Sequence, residues 1–329
     1  MEPIEVLFLS MEEVIGAGLS FADAVASVEA SFREHGAKRC ENPPKPGIHP
    51  RPGAFIHAMP AYLPDPGAAG MKWVGGFSGN PARGLPNITG VIVLNDIDTG
   101  QPLAIMDCAY ITALRTAAAS GVAARYLANP DAAVIGIVGA GVQGRYNTLA
   151  LKEVLPAITE VRAYDTDAVA LDGFLAAVGE DAPFEVRAAR SAEEAISGAD
   201  VIVTATGKLD RPIFRESWVK AGALVLPIHH EGWEAAMIEK ADRLIADDWA
   251  QLKPFIEGLY PALRQPDAEL GEIVAGVKPG RENPRHRIVD FNLGIGVHDI
   301  VMATEVLARA RAKGLGTSLT LMAGDMPLA

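Results

Sequence analysis

Val138-Gly139-Ala140-Gly141-Val142-Gln143-Gly144 is the stretch on which the fold turns. Its glycines are spaced G-x-G-x-x-G. The apolar run Ala133–Val138 before them reads as a short strand, and Arg145–Val154 after them reads as a helix. In that setting the first glycine allows the tight turn, the second lets backbone approach a diphosphate, and the third lets helix and strand pack closely. The helix opens with free N–H groups and the positive end of its dipole, which suits a phosphate. The next strand, Glu160–Tyr164, ends at Asp165, 21 residues past Gly144. A carboxylate there meets the hydroxyls of an adenosine ribose. The spacing predicts a dinucleotide site built from Gly139, Gly141, Val142, Gln143, Gly144 and Asp165. The loop Asp165-Thr166-Asp167 holds two carboxylates and no cation, which favours NAD over a cofactor with a 2′-phosphate. Thr204-Ala205-Thr206-Gly207 follows another strand, so Thr206 is expected at the same sheet edge.

Outward from this stretch the pattern alternates. Ala168–Val178 and Ser191–Ser197 read as helices; Phe184–Ala188, Val201–Thr204, Ala223–Pro227 and Arg243–Ala246 read as strands. Short strands alternating with helices predict an α/β architecture with a Rossmann-type, doubly wound parallel sheet. Upstream the regime differs. The opening segment reads as helical, with S-x-x-E at Ser10/Glu13 and a second cap, Ser20/Asp23, before Phe21–Phe32. Ala54–Met59, Gly70–Gly76 and Thr89–Asn95 read as strands, with Pro102–Asp107 as hairpin partner of the last across the turn Asp98-Thr99-Gly100. An Ala-rich helix, Ala109–Leu127, stops at the breaker pair Asn129-Pro130. The amphipathic helix Asp299–Lys313 lies beyond the alternating part and is expected to return to the first region. The expected domains are therefore 129–302 for the dinucleotide and a discontinuous α+β domain from 1–128 and 303–329.

Composition narrows the partners. The 329 residues are 49% hydrophobic and 21% charged, a globular balance. With 41 acidic against 29 basic residues the net charge is −12, which argues against nucleic acid or an anionic membrane surface. The two cysteines, Cys40 and Cys108, form no CxxC pair and no disulfide framework, so no structural zinc is expected. The acidic N-terminus carries no signal-peptide pattern, and no apolar run is long enough to span a bilayer. A cytoplasmic protein with no metal is the expectation. His229-His230-Glu231 makes a poor metal site because adjacent residues rarely point at one ion.

Several blocks carry a family resemblance: Gly70-Met71-Lys72-Trp73-Val74, Gly79-Asn80-Pro81, Gly84–Gly90, Leu114-Arg115-Thr116-Ala117-Ala118-Ala119-Ser120 and the late segment Phe291–Asp299. Together with the glycine fingerprint they resemble the ornithine cyclodeaminase/mu-crystallin family over nearly the whole chain. The resemblance implies a discontinuous substrate-binding and dimerisation domain beside the Rossmann domain, and hence a homodimer. It places Lys72, Arg115 and Lys45 on a substrate α-carboxylate, and Thr116, Asn87 and Asp299 toward the cofactor. A planar arginine fork and a compact ammonium are chemically apt for a carboxylate.

The departures are informative. Lys45 stands where the family commonly has arginine, and Asn87 where threonine is common. Cyclodeaminases carry an aspartate after the strand that here reads Leu224–Ile228, whereas this chain has His229-His230-Glu231. His57 lies near a position where they have glutamate. Replacing acids by His57 and His229 fits a substrate with a second carboxylate instead of a second amine. The expected activity is NAD(H)-dependent reduction of a small imino acid, with iminosuccinate, giving aspartate, as the specific substrate. An ornithine-type cyclisation using Glu231, and a non-catalytic dinucleotide-gated binding protein, remain as alternatives.

Overall fold

The structure is a computed structural model that describes residues 3–180 and 182–324. The chain starts with β1 (Ile4–Leu9), α1 (Met11–Gly16) and α2 (Phe21–Gly36). It continues through β2 (Gly47–Ile48), β3 (Ala54–Leu63), β4 (Ala68–Phe77), β5 (Ile88–Asn95) and β6 (Pro102–Asp107) into α3 (Ala109–Leu127). There follow β7 (Val134–Val138), α4 (Val142–Lys152), β8 (Glu160–Tyr164), α5 (Ala168–Gly179), β9 (Glu185–Ala188), α6 (Ala192–Ile196), β10 (Val201–Thr204) and β11 (Leu224–Pro227). Then come α7 (Ala235–Glu239), β12 (Arg243–Ala246), α8 (Trp249–Ile256), β13 (Ala268–Glu269), α9 (Leu270–Val274) and β14 (Ile288–Phe291), and α10 (Gly296–Lys313) and β15 (Thr317–Met322) complete the described elements.

Two compact units result. One runs to Arg115 and resumes at Ile295; the other is Thr116–Gly294. These divisions fall earlier than the sequence suggested, at 115/116 and 294/295 rather than 128/129 and 302/303. The reason is packing: α10 as a whole lies on α2, β3, β4 and β5, so the boundary precedes it.

The unit Thr116–Gly294 holds an eight-stranded sheet in the order β13-β12-β14-β11-β10-β7-β8-β9, with every pairing parallel. All residues of β10, β11, β12 and β14 are buried, as strands covered on both faces require. Strand order reverses beside β7, whose two neighbours β8 and β10 lead in opposite directions. Such a switch point opens a crevice at the carboxyl ends of the strands. Gly139 leaves β7 there, and Ala205 leaves β10.

The other unit holds a mixed seven-stranded sheet, β15-β1-β6-β5-β4-β3-β2. Pairing registers place Leu9, Met106, Ile92, Lys72 and Met59 side by side across five strands. Four apolar side chains and one lysine thus form a single row, between 0% and 4% exposed. This row faces α10; the alternate positions, including Trp73 at 41% exposure, face the other way.

The hairpin of β5 with β6 and both N-terminal caps form as read. The opening residues Ile4–Leu9 do not join a helix. They form β1, held between parallel β6 and antiparallel β15, partners about 100 and 310 residues away that no local pattern reveals. α4 starts at Val142, three residues before the expected Arg145, because Gly141 is its N-cap. No helix among the described residues is long and apolar enough to cross a membrane.

The capping box of α2 is reciprocal: Ser20 Oγ accepts from Asp23 N–H at 3.1 Å, and Asp23 Oδ2 accepts from Ser20 N–H at 3.0 Å. Ser20→Ala is expected to lower the unfolding free energy by about 1 kcal/mol. The check is a lower urea midpoint with an unchanged m-value.

Candidate active site

Lys72 is the anomaly of the apolar row. An isolated buried ammonium is costly, so it must be paired. Its Nζ lies 2.7 Å from Asp299 Oδ2, off the line of an ideal hydrogen bond, and donates to Thr112 Oγ1 at 3.4 Å. α10 brings Asp299 down onto the strand, fully buried. The approach is close because residue 296 is glycine: a Cβ there would press on the carbonyl oxygens of Met59 and Pro60. Arg115, on the first turns of α3, donates from Nε to Asp299 Oδ1 at 3.3 Å. Among the described residues, this bond uses one edge of the guanidinium and leaves the Nη pair uncommitted.

Charges around this pair are mostly silenced. His298, next to Asp299, lies 2.7 Å from Ser31 Oγ through Nδ1, and Ser31 spends its own proton on Val28 O at 2.7 Å. His298 therefore carries its proton on Nδ1. Burial, with Arg115, His35 and Lys72 nearby, holds it well below the usual histidine range, so it is neutral. Burial also pushes Lys72 down to about 8 despite Asp299. Below that pH the cluster contains two cations and one carboxylate, a net charge of about +1 in a nearly dry site.

His57 shares the α10-facing side of the sheet, paired with Val74 across β3 and β4. It stacks on Phe55 at 4.4 Å, with His49 edge-on at 6.0 Å. Burial first, then the charges of Lys45, His49 and Lys72, depress it to about 4. At neutral pH His57 therefore offers a hydrogen bond and no charge. Asn87 immediately precedes β5, and its carbonyl accepts from Phe77 N–H at 2.8 Å.

In the other unit, a cavity of about 410 Å³ opens at the switch point, lined in part by Gly139, Gly141, Asp165, Thr206 and Lys208. The residues fit a dinucleotide. A Cβ on Gly144 would overlap Gly139 O, whereas one on Gly141 would project into open space, where a diphosphate comes closest. Thr206 Oγ1 is buried and has no hydrogen-bond partner among the described residues. Asp165 is oriented by Ala140 N–H at 2.7 Å and Asp167 N–H at 2.9 Å. Asp167 is the N-cap of α5. Val142 is half exposed at the start of α4, and Gln143 Oε1 accepts from Asn147 Nδ2 at 3.1 Å. Thr116, nearly buried, is the first residue of this unit.

Sequence reading missed Lys208, the cation in that lining, which sits just after the Thr204–Gly207 stretch and could have been noticed there. It also missed Asp290, whose carboxyl is raised to about 8 by burial and by Asp247. His229 Nε2 is 3.9 Å from Glu231 Oε2. His230 stacks on Phe291 at 5.7 Å while Tyr260 donates to its carbonyl at 2.6 Å. Asp299, expected toward the cofactor, has described side-chain contacts with Lys72 and Arg115. Among the described residues no group of three or more potential ligands could hold a metal.

Known proteins match this arrangement along its length. The family model described as ornithine cyclodeaminase/mu-crystallin family matches residues 5–314. A nodulation efficiency protein of Rhizobium meliloti is 44% identical, covering 95% of this chain and 98% of its own. The structure of Thermococcus litoralis Δ1-pyrroline-2-carboxylate reductase with NADH and L-proline superposes with a TM-score of 0.87 at 32% identity, covering 95% and 99%. An archaeal alanine dehydrogenase, solved as a dimer with NAD, gives 0.87 at 33% identity, covering 97% and 100%.

The two inner glycines should respond differently. Gly144→Ala is expected to cost about 1–3 kcal/mol of stability through overpacking, read as a lower thermal midpoint. Gly141→Ala should leave the free protein's midpoint unchanged and weaken NADH binding at least tenfold in a fluorescence titration.

Proposed function

The chain belongs to the ornithine cyclodeaminase/mu-crystallin family, and from that premise we propose that it is an NAD(H)-dependent reductase of small imino acids, or the dehydrogenase of the matching amino acids. The observation that carries this reading is the buried Lys72–Asp299–Arg115 cluster with its uncompensated positive charge. A substrate α-carboxylate supplies the missing anion. Arg115 meets it with its free Nη edge, and Lys72 adds a second charge. Both draw electron density from the adjacent imine carbon and hold it in one orientation, which lowers the entropic part of the barrier. NAD, held by Gly139, Gly141, Val142, Gln143, Gly144, Asp165 and Thr206, supplies or accepts the hydride. Relatives bound to NADH with proline, or to NAD as an alanine dehydrogenase, support both halves of the reading. Asp165 favours NADH over NADPH.

Two finer statements belong to the same proposal. The substrate is dicarboxylic, iminosuccinate, with Lys45 joining Arg115 and Lys72 on the α-carboxylate and neutral His57 offering a hydrogen bond to the distal carboxylate; His229 is a further candidate for that group. The protein works as a homodimer, like the archaeal relative.

The test is NADH oxidation with imines formed from ammonia and oxaloacetate, pyruvate or other 2-oxo acids, beside Δ1-pyrroline-2-carboxylate and ornithine. Oxaloacetate plus ammonia is expected to give the highest kcat/KM. Arg115→Ala is expected to lose about 100-fold or more in kcat/KM while still binding NADH. Ornithine consumption without net change in NADH would replace this reading by cyclisation.

Lys72 gives a pH signature. Its pKa is lowered to about 8, so the ammonium that binds carboxylate is present below that pH and lost above it. Affinity for a carboxylate inhibitor is expected to be flat from pH 6 to about 7.5, then to fall up to tenfold per pH unit above about 8. Lys72→Arg, whose charge persists, should flatten that fall.

A further inference from the structure

A cavity of about 450 Å³ lies in the sheet-bearing unit that also holds Lys72, at the end of that sheet where β3 begins and β4 ends. Arg51 and Arg83 line it together with Ser78, Asn80 and Thr89. No carboxylate lines it, and among the described residues neither guanidinium has an ion-pair or hydrogen-bond partner. Arg162, Arg187 and Arg309, by contrast, are each bound by acids. Donors prevail in the rest of the wall. Asn80 uses one amide N–H on Pro86 O at 3.0 Å and keeps the other, and the Thr89 hydroxyl is exposed. Ser78 donates to Gly53 O at 3.2 Å, which ties together the two loops that carry the arginines.

The register separates this cavity from the carboxylate clamp. Lys72 and Val74 point to the α10 side of β4, so Phe77, paired with Ala54, points to the other side, as does Thr89 through its pairing with Gly75. Phe77, Ala54 and Thr89 are the strand residues that line the cavity. We propose that Arg51 and Arg83 form a second oxyanion site, which takes a small, multiply charged carboxylate or phosphate metabolite on the face of the sheet opposite the substrate clamp. Two guanidinium groups lining one cavity without acids are suited to a ligand with two or more anionic oxygens and poorly suited to a neutral or cationic one.

The experiment is calorimetric titration of the NADH-loaded protein with citrate, pyrophosphate and inorganic phosphate, each at fixed ionic strength. At least one of these anions is expected to bind. Arg51→Gln with Arg83→Gln should weaken it about tenfold or more, Arg51→Lys with Arg83→Lys should restore part of the loss, and Arg115→Ala should leave it unchanged. The citrate and pyrophosphate arms distinguish a carboxylate from a phosphate ligand. An unchanged circular-dichroism spectrum and thermal midpoint for the double Gln variant, with imine reduction within about twofold of wild type, would show that the loss is local. Absence of binding at millimolar concentrations of all three anions overturns the proposal. So does equal affinity in the double Gln variant, or loss of binding in Arg115→Ala, which would assign the anion to the clamp.

Discussion

The constraint that organises this molecule is the burial of one ammonium. Lys72 sits in a row of side chains that is otherwise apolar, between Met59 and Ile92 and beneath α10. A charge in that place is tolerable only if an opposite charge reaches it, and the chain meets the requirement from 227 residues away, through Asp299. The arrangement dictates much else. α10 must lie flat on the sheet, so residue 296 has no side chain, and the helix must belong to the sheet's unit although it follows the parallel part in sequence. Arg115 is drawn to the same carboxylate, which gives the cluster an excess of positive charge.

A single ion pair would have been simpler and electrostatically closed. The second cation leaves a buried site with an excess of positive charge, and the neighbouring histidines are neutral chiefly because they are desolvated. His57 and His298 both stand where desolvation and existing cations act in the same direction. Neutral imidazoles leave the charge balance to Lys72, Arg115 and Asp299. Under the proposed function, a cluster of this kind would orient a small molecule by its carboxylate and leave its other end to weaker contacts.

The dinucleotide unit obeys a different logic. Its central strands are apolar on both faces, so specificity resides at their carboxyl ends, where backbone rather than side chain is the main donor. That is why the glycine spacing and one aspartate were enough to read it. The same local character made Lys208 easy to overlook, since nothing in the spacing after β10 asks for a cation. Asp290 was overlooked for the opposite reason: in the sequence it is one acid among 41, and only burial beside Asp247 distinguishes it.

What the sequence by itself determined was whatever depends on neighbours along the chain. The G-x-G-x-x-G turn, the position of Asp165, the caps at Ser10 and Ser20, the β5–β6 hairpin and the alternation of strands with helices all arise from contacts within a few tens of residues, and all were legible. What only the tertiary structure decided depends on distant partners. Ile4–Leu9 became a strand because β6 and β15 flank it, α10 joined the sheet's unit because Asp299 must meet Lys72, and His57 lost its charge through burial, with the charges of Lys45, His49 and Lys72 acting in the same direction. A residue's type announces what chemistry it can do, but its charge state and its partners are set by the dielectric and the neighbours that folding brings to it.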